Sequence, residues 1–219
     1  MELHPDKSSS NALHIVVQNL QKTAGLGSQI VEQRHCDVML AQEISATTEK
    51  LPFGNFTSKR GYGTAIYCSK ALQPLQNIRR VQSPHAEVGG FIHKKTIVAS
   101  CGLPSGKAIE LVSFHGYNGW PVFRDASYLV DHVRAVLAVV SPDGPALFCG
   151  DFNSWTQAHL DAVETVMREK GFTRIFSWPY PGRDFPLDHA FGRHVKLNAS
   201  EVFSSAADHR GADLVIEIE

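Results

Sequence analysis

The chain has 219 residues, 43% apolar and 20% charged, which is the composition of an ordinary globular protein and excludes a fibrous or disordered one. Its length fits one large domain, and a formal net charge of −1 excludes a global positive field that would draw in nucleic acid or anionic lipid. No apolar run approaches the ~20 residues that cross a bilayer. Residues 1–11 are polar and lack the apolar core of a secretory signal, so the expectation is a disordered leader followed by one domain over 12–219, cytoplasmic and without stable membrane association. The four cysteines, Cys36, Cys68, Cys101 and Cys149, stand far apart without CxxC spacing and beside apolar runs, which predicts buried free thiols in place of zinc ligands or disulfides.

The first predicted strand, 13–17, ends at Gln18 and Asn19, where an amide either orients a metal ligand or simply makes a turn. A short helix over 28–34 follows Gly25 and Gly27. The strand 38–41 runs into Gln42 and Glu43, and a carboxylate there suits a hard cation such as Mg²⁺, although a lone glutamate at a strand end is commonly just solvated. Strands follow at 63–68, 91–99 and 109–114. After the last, His115 falls in a turn with Gly116, Tyr117 and Asn118, and a glycine turn lets the backbone approach a substrate closely. Leu129, Val130, Val133, Val136 and Leu137 form an apolar stripe that predicts a helix over 123–140.

The strand 146–150 ends in Gly150 and puts Asp151, Asn153 and Trp155 on alternate positions, so in extended geometry the carboxylate and the amide face the same way. Hydrolysis of a phosphodiester needs an acceptor for the proton of water and a donor for the charge on the phosphoryl oxygens. Asp151 and Asn153 offer both, and they equally suit an ordinary strand-to-helix turn. Ser154 or Thr156 caps a third helix through Lys170, with Gly171 as its stop. Strands at 187–191, 195–202 and 213–217 complete the chain. Asp188 lies in the first of these, and Asp208 with His209 precedes the last. In such a pair the carboxylate can hold a metal while the imidazole donates to a phosphate oxygen, and Asp188 near His209 would fix its tautomer. Strands outnumber helices, and polar residues recur after apolar strands at Asn19, Glu43, His115 and Asp151, so in a sandwich these ends gather at one rim.

The segments NLQ, AQE, GYGTAIYCSK, SFHGYN, GDFNSW, LDHAF and ADHR, in that order, resemble the endonuclease/exonuclease/phosphatase superfamily of DNase I-like proteins. GDFN with a downstream DH pair is the more specific part. The resemblance implies an α/β (α+β) fold, a four-layer sandwich of two packed, mainly antiparallel sheets flanked by helices, and a phosphoesterase that depends on Mg²⁺ or Mn²⁺. By motif, Glu43 would be the main metal carboxylate, assisted by Asn19 and Asp208. Asp151 would position or deprotonate the attacking water, and Asn153 would hold it or a phosphate oxygen. His209, oriented by Asp188, would stabilise the phosphoryl charge, and His115 would contact the phosphate or leaving oxygen. Asn118, beside Tyr117, matches a residue that touches a nucleic-acid backbone. Gln21 departs from the aspartate that some family nucleases carry there, and ADH replaces the usual SDH.

Three functions compete. A nuclease acting on DNA or RNA is favoured by Asn118 and by Lys22, Lys59, Arg60, Arg79, Arg80, Lys94 and Lys95 as groove-lining cations, against a near-neutral total charge. The same chemistry on inositol phosphates, phospholipid head groups or small phosphodiesters is the alternative, with Trp120, Pro121, Val122 and Phe123 either an apolar loop or part of the core. A non-catalytic binding module is disfavoured, because Glu43, Asp151, Asn153, Asp188, Asp208 and His209 are all present. No protein partner is inferred.

Overall fold

In the computed structural model, β1 (Ala12–Asn19) and β2 (Val38–Ile44) run parallel, because α1 (Leu26–Arg34) carries the chain back before β2 begins. The same unit recurs where α2 (Ser127–Leu137) joins the parallel strands β7 (Ala108–His115) and β8 (Ala146–Asp151). Among the described residues, antiparallel strands complete two six-stranded sheets around these pairs. The first adds β3 (Gly54–Phe56), β4 (Gly63–Cys68), β11 (Val195–Phe203) and β12 (Gly211–Ile218), in the order β11-β12-β1-β2-β4-β3. The second adds β5 (Gln76–Gln82), β6 (Lys95–Gly102), β9 (Thr173–Pro179) and β10 (Pro186–Arg193), in the order β5-β6-β7-β8-β10-β9, with α3 (Gln157–Arg168) between β8 and β9. The structure describes residues 11–44, 54–56, 63–87, 91–119, 125–183 and 185–219.

Alternation along the strands gives each sheet two apolar faces, and the faces sort into layers. Leu13, Ile15, Val17 and Leu40 pack against Ile97, Leu111, Leu147 and Cys149 between the sheets. On the outer face of the second sheet, Val133 and Val136 of α2 and Leu160 and Val163 of α3 cover Phe114 and Phe148. Burying a side chain such as Phe148 contributes about 1.5–3 kcal/mol. Ile30 and Val31 of α1 cover Val16 and Met39 on the outer face of the first. This is the expected four-layer sandwich, with mixed sheets that are antiparallel except for one parallel pair in each.

Several boundaries differ from the sequence prediction. The strand expected at 91–99 begins only at Lys95, because Ile92 bridges Glu87 in the preceding turn. The helix expected over 123–140 runs from Ser127 to Leu137. Residues 120–124, with Trp120, Pro121, Val122 and Phe123, lie outside the described residues, as do 1–10 of the expected leader. The third helix stops at Arg168, and its cap is Thr156, whose hydroxyl accepts from the His159 N–H. β3, β5 and β9 were not predicted; all three are sheet edges, and the half-exposed β5 and β9 carry too few buried positions to alternate clearly. No helix among the described residues is long and apolar enough to cross a membrane.

Candidate active site

The two parallel pairs end at the same rim. β1 and β2 deliver Asn19 and Glu43, while β7 and β8 deliver His115 and Asp151, which are neighbours in register. Asp188 sits opposite Asp151 on β10, and His209 enters from the connection between β11 and β12. The side chains converge. Asn19 Nδ2 donates to Asp151 Oδ2 at 3.3 Å, and His209 Nε2 lies 3.7 Å from that same oxygen. His115 Nε2 lies 3.7 Å from both Asp151 Oδ2 and Glu43 Oε1.

Local backbone irregularities aim these groups. Glu43 has φ +51° at the register break between Gln42 and Ile44, so a bulge turns its side chain out of the strand alternation. Gly150 has φ +142°, and a Cβ there would meet the Phe114 carbonyl oxygen at 2.1 Å, so only glycine lets the two strands close up behind Asp151. The extended geometry expected from Asp151 to Trp155 does not persist. Asn153 adopts φ +52°, its N–H donates to Asp151 Oδ1 at 2.9 Å, and its amide donates to the Gly116 carbonyl at 3.0 Å. A side-chain-capped turn, not strand alternation, brings Asn153 to the rim.

Burial governs the electrostatics. Although burial opposes charge on His209, Asp188 and Asp151 outweigh it, and the imidazole is lifted to about 10 with Nδ1 2.8 Å from Asp188 Oδ2. It is an imidazolium at neutral pH. Burial pushes the Asp151 carboxyl up, with His209 opposing the shift. Burial also raises Glu43, against the pull of Lys94. His115 is fully buried and held well below the usual imidazole range by burial and by Lys94, whose ammonium donates to His115 Nε2 at 2.5 Å.

Other predicted residues are placed as follows. Asn118 Oδ1 accepts from Trp155 Nε1 at 2.9 Å, and the Arg183 guanidinium lies over the Trp155 ring at 4.5 Å. Tyr117 is buried edge-on against Tyr128. Asp208 is exposed, and its N–H donates to Gln21 Oε1, while the Gln21 N–H donates to Asn19 Oδ1. Of the expected groove-lining cations in the described residues, Lys22 and Lys94 approach the site, whereas Arg79 pairs with Glu110. Lys59 and Arg60 lie outside the described residues.

Sequence reasoning named Gln18, Gln42 and Lys94 but missed their supporting contacts. Gln18 Nε2 donates to the His209 carbonyl at 3.1 Å, and Trp178 Nε1 to the Arg210 carbonyl at 3.0 Å, so the loop that carries His209 is tied down from two sides. Gln42 Nε2 donates to Ser113 Oγ at 3.0 Å across the two sheets, and Ser113 donates on to the Ala41 carbonyl at 2.9 Å. A glutamine closing an otherwise apolar strand was the available signal for Gln18 and Gln42. Lys94 is held beside Glu87, with Nζ 3.7 Å from Oε2, while the other oxygen of Glu87 accepts the Asn118 N–H. Nothing in the sequence marked that pair.

The oxygen donors fit a hard divalent cation. Among the described residues, Lys22 Nζ and His115 Nε2 each approach the Glu43 carboxylate only to 3.7 Å, beyond hydrogen-bond distance, at a position sheltered from most solvent. Asp208 is close enough for its charge to raise Glu43 further. Glu43, Asp208 and Asn19 carry oxygen atoms of the type that Mg²⁺ or Mn²⁺ prefers. Asp151, Asp188 and His209 also bring ligand-type atoms within 4.8 Å of one another. Asp188 is committed to His209 there, which makes that set an acid–base cluster first.

A family model described as Endonuclease/Exonuclease/phosphatase family matches residues 9–209. A UPF0294 protein of Vibrio parahaemolyticus is 28% identical over 121 residues, which is 53% of this chain and 42% of that protein, so the match spans less than half of the relative's length. Among solved structures, an endonuclease/exonuclease/phosphatase from Bacteroides vulgatus aligns with TM-score 0.73 at 15% identity, covering 95% of this chain and 99% of that one. D. rerio TDP2 complexed with a single-strand DNA product aligns with TM-score 0.69 at 16% identity, covering 94% and 99%. Likeness at these identities is a likeness of fold.

Proposed function

The chain belongs to the endonuclease/exonuclease/phosphatase family, whose enzymes are hydrolytic phosphoesterases, and from that premise we propose that it is a divalent-metal-dependent phosphodiester hydrolase that cleaves DNA or RNA. One observation carries the reading: the buried His209 imidazole, held by Asp188 at Nδ1, faces a buried carboxylate, Asp151, at 3.7 Å on the rim where Glu43 also ends. That pair supplies a proton donor and a proton acceptor on one reacting group.

Asp151, oriented by the Asn19 amide and the Asn153 N–H, takes the proton of the attacking water. Asn153, anchored on the Gly116 carbonyl, holds that water or a phosphoryl oxygen. His209 spends Nδ1–H on Asp188, so Nε2–H is the donor left for the charge that develops on the phosphoryl oxygens. Glu43, with Asp208 and Asn19, would hold the cation, which when bound supplies positive charge beside those oxygens. Lys94 places a further fixed positive charge behind His115. At the mouth, Trp155 and Arg183 offer a ring and a guanidinium, the contacts that suit a nucleotide's base and phosphate. The DNA-bound relative of the same fold supports the same substrate class.

The test is a panel with Mg²⁺ or Mn²⁺ over plasmid, single-stranded and abasic DNA, RNA, inositol phosphates and sphingomyelin. A polynucleotide is expected to be cut by the native protein and not by Glu43→Gln or His209→Ala. Hydrolysis of inositol phosphates or sphingomyelin with nucleic acid left intact would move the reading to a phosphatase or phospholipase C-type hydrolase. Full activity in both variants would overturn the site.

A further inference from the structure

Cys68 closes β4 in the first sheet, and Cys101 lies near the end of β6 in the second. Their separation in the chain predicts nothing, yet the packing of the sheets brings the two sulfurs to 3.4 Å, with the Cys68 thiol donating to Cys101 Sγ. A disulfide bond is about 2.05 Å long, so closure requires the two sulfurs to approach each other by about 1.4 Å. Cys101 is fully buried in the core between the sheets, whereas Cys68 is only half-buried at its margin. Cys68 is therefore the more accessible residue of the pair.

We propose that Cys68 and Cys101 form a dithiol modification site, which low-molecular-weight disulfides of the glutathione type convert to a disulfide joining the two sheets. The Cys68 thiolate attacks one sulfur of the small disulfide, whose other half leaves as a thiolate and takes up the proton that Cys68 lost. The Cys101 thiolate then attacks the Cys68 sulfur of the mixed disulfide and expels the second small thiol, which takes up the proton from Cys101. Two protein thiols are oxidised and one small disulfide is reduced to two thiols. The hydrogen bond to Cys101, reinforced by burial, holds the Cys68 thiol up and makes the first exchange the slow one, and once Cys68 is in the mixed disulfide Cys101 attacks from contact distance.

The bond would close a loop across the sandwich at the end remote from Asp151. Ile109, the register partner of Cys101, precedes His115 by six residues of β7, or about 20 Å of strand. Hydrolysis should therefore be unaffected, and stability should rise because the unfolded chain is constrained.

The experiment incubates the full chain with oxidised glutathione at mildly alkaline pH, then reads intact mass, peptide linkage and melting temperature. The expected product has lost the mass of two hydrogens, yields a linked peptide pair containing Cys68 and Cys101, and melts roughly 5–10 °C higher until dithiothreitol reverses it. Cys68→Ser should abolish both the linkage and the shift while melting near the reduced native protein. A stable glutathione adduct on Cys68 without linkage, linkage through Cys36 or Cys149, or an unchanged mass of the folded protein would each overturn the proposal.

Discussion

The β1–β2 end of the rim and the β7–β8 end share a topology but differ in wetness at every named group except Asn19, which is 1% exposed. At the first, the Glu43 side chain is 19% exposed, the Lys22 side chain beside it 43%, and Asp208 is open to solvent. At the second, Asp151, Asp188 and His115 are 2%, 1% and 0% exposed. A hydrated cation can arrive at the wet end and keep several of its waters. The dry end strengthens every charge interaction and suits proton transfer. Topology thus gathers the groups, and burial divides their roles.

Substitution at the dry end should break this division most severely. Asp151→Asn removes the proton acceptor but keeps the shape, and kcat should fall by about 10³–10⁴-fold with melting little changed. Steady-state kinetics on the best substrate from the panel would read this, and a fall below tenfold would refute the role of Asp151.

The dry half should also be the acid-labile half. Burial holds His132 and His189 at about 3, the latter with both ring nitrogens against the hydroxyls of Ser154 and Ser177. The unfolded chain titrates these imidazoles near ~6.5. Between those values it binds protons that the folded chain refuses, so this contribution is complete above about pH 6.5 and is lost as pH falls towards 3. Each histidine should add a slope of about 1.4 kcal/mol per pH unit. Urea unfolding at a series of pH values should show the slope reduced by about that amount in His189→Gln; an unaltered slope would rule out His189 as the titrating group.

At the wet end, the sharper readout is cation binding. Glu43→Gln should weaken Mg²⁺ or Mn²⁺ affinity by about 10–100-fold in calorimetry, and Asp188→Asn should leave it within a few-fold while lowering kcat. The reverse pattern would relocate the cation to the Asp151, Asp188 and His209 cluster. The smallest effect is expected from Gln21→Ala. It deletes an exposed hydrogen bond to the Asp208 N–H, so stability should change by no more than about 1 kcal/mol and cation affinity by a few-fold. A loss as large as that of Glu43→Gln would make Gln21 a ligand-positioning residue.

Legibility in the sequence followed burial in the same way. The core strands β4 and β8, and the cap of α3 at Thr156, were readable because apolar runs and a capping hydroxyl are local signals. The edge strands β5 and β9 were not, since an edge buries too few residues to impose a period. At the site, Asn19, Glu43, His115 and Asp151 stood out by following apolar runs, and His209 by its pairing with Asp208 ahead of the last strand. Asn153 reached the expected place by an unexpected route, because its left-handed backbone depends on the side chain of Asp151. Lys94 and Glu87 meet His115 and Asn118 only after the β5–β6 hairpin folds over, and that contact leaves no local trace.

The hydrogen bond from Gln42 to Ser113 spans the two sheets directly beneath the rim. Facing apolar surfaces adhere without much preference for alignment and would tolerate one sheet sliding along the other. A directional bond in a dry core does not. It works as a dowel between two plates, and since Glu43 is mounted on one plate and Asp151 on the other, the dowel sets the tolerance to which the halves of the site are machined.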